Sequence, residues 1–242
     1  MQIDLVFTHI PITDEKLSDR TVVMVDVLRT STTICVALAN GAKEIIPVDG
    51  VPAAMQLLGN LSRDNVLLCG EKEGKLIEGF DLGNSPSDYE AEIIKGKSLI
   101  FNTTNGSVAL TKMKTAKSAI VCSFVNITAC AEFIAGKDDH ILIVCAGNNR
   151  QFNLEDAVCG GMLVNILQKK IGREMEMNDG TEAATIIYHK YKDKCLQMLK
   201  HSFHGKYLMS LGLGKDLNFC AKIDSCNFVP VYSEGVVKLD MH

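Results

Sequence analysis

Four stretches of this 242-residue chain set donors for oxyanions beside acidic side chains. The first reads Asp26-Val27-Leu28-Arg29-Thr30-Ser31-Thr32-Thr33: a carboxylate closing an apolar run, a guanidinium, then consecutive hydroxyls running into a helix. Arg29 supplies a planar fork, Thr30, Ser31, Thr32 and Thr33 supply short donors, and the helix N-terminus adds free amides and a partial positive charge. Together they can cradle an anion. Helix capping and an Asp26–Arg29 pair would use the same residues with no ligand at all. The second stretch, Asn102-Thr103-Thr104-Asn105-Gly106-Ser107, again runs amides and hydroxyls into a helix. Its Asn105-Gly106 step permits a left-handed turn, in which successive N–H groups can converge on one anion; a plain turn is the alternative. The third follows an apolar run as Ala146-Gly147-Asn148-Asn149-Arg150 and leads to Glu155 and Asp156 at a helix start. Acids there complement the helix dipole whatever else they do. The fourth, Gly70-Glu71-Lys72-Glu73-Gly74 and then Glu78 to Pro86 through Asp81 and Asn84, makes a loop longer than connectors usually are, and such loops tend to be functional.

Each stretch alone is a common turn or cap. Delivered to one edge of one sheet, they make a Mg²⁺-assisted phosphoryl site, because the metal needs hard oxygen ligands and the phosphate needs fixed donors. Mg²⁺ keeps several waters, so two or three of Asp26, Glu71, Asp81, Glu155 and Asp156 are expected to ligate it. Asp26, Arg29, Glu71 and Asp156 are the expected catalytic residues. No G-x-x-x-x-G-K-[ST] loop and no G-x-G-x-x-G occurs, which argues against a nucleoside triphosphate or dinucleotide. The nine cysteines include no C-x-x-C pair, and most sit in apolar runs as small core side chains. The histidines carry no paired carboxylate motif and read as surface or packing residues, with a partial exception for His204 beside Gly205.

The elements that must position these residues are short β-branched runs at 21–27, 44–48, 66–69, 98–101, 118–122 and 141–145, separated by segments of helical period. That alternation predicts an α/β fold, three layers α/β/α, with a mostly parallel or mixed sheet. In such sheets ligands collect where strands end and helices begin. Gly41 is expected to close one helix, Ser85-Pro86 to open another, and Asn153 to cap a third. Beyond residue 170 a charged helical stretch, a Gly-rich segment and a strand at 228–232 read as a helical C-terminal part of one domain spanning 1–242.

With 25 Lys and Arg against 29 Asp and Glu, the formal charge of −4 offers no global field for nucleic acid or an anionic membrane surface. No apolar run reaches the ~18 residues of a membrane span. The N-terminal stretch lacks the features of a signal peptide, so a cytoplasmic address is expected. A homodimer is only the base-rate expectation.

The strings VDVLRTSTT from Val25, ALANGA from Ala37, GEKEG from Gly70, GFDLGNSP from Gly79, TTNGS from Thr103, SFxN from Ser123, VCAG from Val144 and LED from Leu154 resemble the 2-phosphosulfolactate phosphatase family. HGKYL from His204 and VPV from Val229 are similar to its C-terminal part. The resemblance implies a Mg²⁺-dependent phosphatase that converts 2-phospho-3-sulfolactate to 3-sulfolactate and phosphate, a coenzyme M type step. The expected substrate-binding residues are Arg29, Thr30, Ser31, Thr32, Thr33, Lys72, Asn84, Thr103, Thr104, Asn105, Gly106 and Asn126. Lys72 stands where the family is expected to carry arginine, an exchange that loses the bidentate fork. A phosphatase for another small phospho-acid, or a non-catalytic binder of phosphorylated or sulfonated acids, would use the same residues.

Overall fold

A computed structural model describes residues 1–137, 140–172 and 174–239. Its strands are β1 (Gln2–Val6), β2 (Arg20–Val25), β3 (Glu44–Pro47), β4 (Val66–Lys72), β5 (Lys75–Leu76), β6 (Ser98–Asn102), β7 (Ser118–Cys122), β8 (His140–Cys145), β9 (Glu176–Met177), β10 (Pro230–Ser233) and β11 (Val236–Leu239). The helices are α1 (Asp14–Leu17), α2 (Thr30–Ala39), α3 (Val51–Leu58), α4 (Ala91–Ile94), α5 (Gly106–Thr111), α6 (Ile127–Ala135), α7 (Leu154–Ile171), α8 (Asp179–Tyr191), α9 (Cys195–His201), α10 (Phe203–Ser210) and α11 (Asp216–Cys220).

The β-branched runs form strands because each presents apolar side chains to both faces. In β2, Val23 and Val25 join one buried cluster with Val158, Leu163 and Ile127 of the helices on that face, whereas Val22 and Met24 join a second with Ile34 and Leu38 of α2. Strand β8 divides the same way, Ile141 and Ile143 against Leu142 and Val144. A sheet buried on both sides between helices is the expected three-layer α/β/α arrangement.

The strands of the described residues lie in one sheet of order β5-β4-β6-β3-β11-β10-β7-β2-β8-β1-β9. Strands β7, β2, β8, β1 and β9 are parallel neighbours, as are β4, β6 and β3. Between these blocks the pairings β7–β10, β10–β11 and β11–β3 are all antiparallel. Three reversals in succession make the blocks run in opposite senses, so the sheet is mixed and the junction loops do not share one parallel rim. The C-terminal part, expected as an appendage, contributes its last two strands to the middle of the sheet; β1, inside the stretch read only for a leader, is internal as well.

The helix ends follow local rules. The Asn153 side chain accepts the Asp156 amide at 3.1 Å and opens α7, and Gly172 closes it in the left-handed region at φ 63°. Gly41, φ +88°, follows α2 as expected. Ser85 precedes a 3₁₀ turn at Pro86–Asp88 but makes no side-chain cap; its hydroxyl is used elsewhere.

Candidate functional site

The turn from β2 into α2 is wound tightly by its own polar atoms. The Ser31 amide donates to the Asp26 carbonyl at 2.8 Å, the Asp26 amide to Ser31 Oγ at 2.9 Å, and the Thr30 amide to Asp26 Oδ1 at 3.3 Å. The turn therefore fixes the Asp26 carboxylate at the α2 N-terminus. Among the described residues no lysine or arginine pairs with it. Burial raises its pKa to about 6, opposed by the Thr30 hydrogen bonds and by His204, and reinforced by Glu71.

Arg29 does not neutralise Asp26. One guanidinium nitrogen donates to Asp216 Oδ2 at 2.8 Å and to Ser85 Oγ at 3.1 Å, and the other donates to the Gly74 carbonyl at 3.0 Å. Ser85 in turn donates to Asp216 at 2.9 Å. Both ends of the ion pair are 3% exposed, so it is a desolvated pair satisfied by added hydrogen bonds.

From the opposed block, β4 and β6 end side by side. A Cβ at Gly70, φ +151°, would overlap the Asn102 backbone, and only glycine lets the two chains run so close. Glu71, next along, accepts the Thr104 amide on Oε1 at 2.8 Å and the Gly74 amide on Oε2 at 2.6 Å. The α5 N-terminus then meets that of α2: Thr103 Oγ1 lies 3.2 Å from Thr30 Oγ1, and a Cβ at Gly106 would overlap Asp26 Oδ2 and the Thr30 side chain. The left-handed step that Asn105-Gly106 permits is not taken, for Asn105 has φ −124° and Gly106 is not among the positive-φ residues. Gly106 matters because it has no side chain, not because of its backbone torsion.

These segments enclose a cavity of about 330 Å³ lined by Asp26, Leu28, Arg29, Thr30, Glu71, Glu73, Gly74, Asn84, Thr104, Asn105, Asn148, Asn149, Phe203, His204 and Tyr207. Of the expected residues, Asp26, Arg29, Thr30, Glu71, Asn84, Thr104 and Asn105 line it, with Thr103 and Gly106 directly behind. The others lie elsewhere. Ser31 winds its own turn; Thr32 Oγ1 bonds the Val27 carbonyl at 3.0 Å and Ser123 at 2.8 Å; Thr33 Oγ1 donates to the Asn84 carbonyl at 2.9 Å. Each satisfies buried backbone rather than a ligand. Asn126 forms a capping box with Ser123 and donates to the Val121 carbonyl. Lys72 is exposed and off the cavity, so its departure from arginine does not touch the cavity wall. Asp81 accepts the Leu68 amide and pairs with Arg63 away from the cavity.

Asp156 is fully buried and accepts the Val27 amide at 2.8 Å and the Gly147 amide at 3.3 Å, tying the β2 and β8 junctions together. Burial, Asp26 and Glu155 push its pKa well above the usual range. Glu155 is 0% exposed and stands behind His204. Among the described residues no three His, Cys, Asp or Glu side chains group as a metal site, so the five acids do not form a common ligand set. An oxygen-only pair does fit: Asp26 and Glu71 share the cavity with Asn84, whose buried Oδ1 has no hydrogen-bond partner among the described residues. Hard oxygens of this kind suit Mg²⁺, which takes one or two carboxylates and completes its shell with water and phosphate.

Sequence reasoning missed Asp216 and the cavity-lining Phe203 and Tyr207, which arrive on α10 and α11 from the far end of the chain. Only the HGKYL string at His204 marked that region. No helix among the described residues is long and apolar enough to cross a membrane.

A model of the family described as 2-phosphosulpholactate phosphatase matches residues 7–235. A protein of Caldanaerobacter subterraneus subsp. tengcongensis named "Probable 2-phosphosulfolactate phosphatase" is 37% identical over 231 residues, 96% of this chain and 95% of that one. Proteins of the same name from Clostridium tetani and Thermotoga maritima are 34% and 38% identical, covering 98% and 90% of this chain and 100% and 91% of theirs. With a family match of that extent and relatives aligned nearly end to end, the chain belongs to the 2-phosphosulpholactate phosphatase family.

Proposed function

We propose that the chain is a Mg²⁺-dependent phosphatase that hydrolyses 2-phospho-3-sulfolactate to 3-sulfolactate and inorganic phosphate. The observation that carries this reading is the charge of the cavity. Among the described residues, Asp26, Glu71 and Glu73 line it against Arg29 and His204, and Arg29 already faces the buried Asp216. A substrate bearing a phosphate, a carboxylate and a sulfonate meets repulsion there unless a divalent cation intervenes. Asp26 and Glu71, with Asn84 Oδ1, would hold that cation; when bound it neutralises phosphate oxygens and lowers the cost of charge in the transition state.

The chain's own groups do the rest. The Thr30 and Thr104 amides are taken by Asp26 and Glu71, so the hydroxyls of Thr30 and Thr104 and the polar groups of Asn105 are the cavity donors that would meet the phosphate. Arg29, held by Asp216, Ser85 and the Gly74 carbonyl, keeps one wall rigid. Phe203 and Tyr207 add aromatic surface to the cavity wall, and both remain exposed to solvent. A cavity of about 330 Å³ suits a small acid better than a nucleotide or a polymer. The family fits a role in a coenzyme M type route and a cytoplasmic setting, and both belong to this proposal.

Phosphate release from a panel of small phospho-acids, with and without a sulfonate, tests the reading. It expects Mg²⁺-dependent release with 2-phosphosulfolactate at the head of the panel. Preference for a sulfonate-free ester overturns the substrate, and ligand-induced thermal stabilisation with no release overturns catalysis in favour of binding.

A further inference from the structure

Glu155 is the least expected side chain in the protein. It lies in the first turn of α7 with 0% exposure, and neither carboxylate oxygen has a hydrogen-bond partner among the described residues. Its neighbour Asp156, equally buried, has two amide donors. A carboxylate sealed from water with no donor is costly, and such groups persist where they act on another group. For Glu155 that group is His204, whose Nδ1 stands 3.5 Å from Oε1 and is likewise buried without a hydrogen bond among the described residues. The pair is close but not aligned, as is common before a substrate settles an active site. The His204 side chain is 15% exposed and lines the cavity, and Nδ1 is turned to Glu155, so Nε2 is the nitrogen left to face the bound ester. Local structure fixes the ring. Ser202 caps α10 by accepting the Gly205 amide at 3.0 Å, the Tyr207 ring lies 6.4 Å from the imidazole, and Tyr207 Oη bonds the Glu73 carbonyl at 3.0 Å.

We infer that His204 is the proton donor to the leaving alcohol, and that Glu155 is the positioning residue that holds its Nδ1–H and turns Nε2–H toward the ester. This rests on the phosphatase reading above. As the bond between phosphorus and the alcohol oxygen breaks, its electron pair stays on that oxygen, which takes the proton from Nε2. Phosphorus becomes bonded to the oxygen of water, and the proton lost by that water returns the imidazole to its protonated form. The sum is ester plus water giving alcohol plus phosphate.

The test compares two esters in the presence of Mg²⁺: 2-phosphosulfolactate, whose alkoxide cannot leave unprotonated, and p-nitrophenyl phosphate, whose phenolate can. For His204→Asn, turnover of the alkyl ester is expected to fall about 10²–10³-fold and that of the aryl ester less than about tenfold. Glu155→Gln keeps size and shape, and its kcat on the alkyl ester should drop about tenfold with KM held and the aryl rate hardly moved. Equal losses on both esters in both variants overturn the inference, since His204 then serves binding or structure. Full alkyl activity in Glu155→Gln with an unchanged melting temperature overturns the role of Glu155. A wild-type protein that hydrolyses neither ester overturns the phosphatase reading itself, an outcome separate from either of these.

Discussion

At the scale of single residues, Asp26 carries the largest consequence. Its carboxyl has a folded pKa of about 6 against 3.8 for the free side chain, so the folded state holds this proton more tightly than the unfolded chain does. The sign follows: Asp26 favours the fold fully below pH about 4, and that contribution is lost as pH rises through 6. Asp26→Asn should therefore be more stable than wild type at pH 8, by up to about 3 kcal/mol, and no more stable at pH 4, as denaturant titration at the two values will show. Added Mg²⁺ should raise the melting temperature of the wild type at pH 8 and leave Asp26→Asn unmoved. Asp216 gives the opposite sign. Asp216→Ala leaves the buried Arg29 without its counter-charge and is expected to cost about 3–5 kcal/mol, read by the same titration. Sequence made Asp26 and Arg29 legible as strand-end acid and guanidinium, but not as separate charges. The acid that takes Arg29 lies 187 residues away, a separation no local pattern encodes.

At the scale of elements, the site is the meeting of two helix N-termini, α2 from one strand block and α5 from the other. Gly106 is the hinge of that meeting. In Gly106→Ala the new methyl would overlap Asp26 Oδ2 and Thr30, so the helices must separate. A loss of about 1–3 kcal/mol and a fall in phosphate release of at least about tenfold are expected, measured by thermal melting and by initial rates. The hydroxyl run shows why element-level reading stops short. Four donors in a row look equivalent in sequence, but a helix turns about 100° per residue, so only Thr30 is left on the cavity side. Ser31, Thr32 and Thr33 turn to buried backbone. The same rotation places Glu155 and Asp156 on different partners though they adjoin in sequence.

At the scale of the molecule, the C-terminal hairpin joins the two strand blocks. Because β10 and β11 stand between β7 and β3, removing residues 229–242 leaves both blocks with open edges in the middle of the sheet. Such a truncated protein is expected not to fold, seen as loss of protease resistance and of far-ultraviolet ellipticity. The alternation of short strands and helices made the three layers legible from sequence, since runs such as 118–122 must be strands buried on both faces. The reversal of one block against the other was not legible. It depends on which strands the last hairpin pairs with, and a four-residue apolar segment carries no record of its neighbours.

The proposed divalent cation would sit in the cavity that Asp26 and Glu71 line, facing a small phosphorylated acid. Initial rates of phosphate release from 2-phosphosulfolactate, measured across Mg²⁺ concentrations for wild type and Asp26→Asn, test it most directly. Saturating dependence on Mg²⁺ with abolition by chelator, and a rate at least about 100-fold lower in Asp26→Asn at every concentration, is the expected result. Equal rates in the two proteins, or release indifferent to chelation, would contradict it.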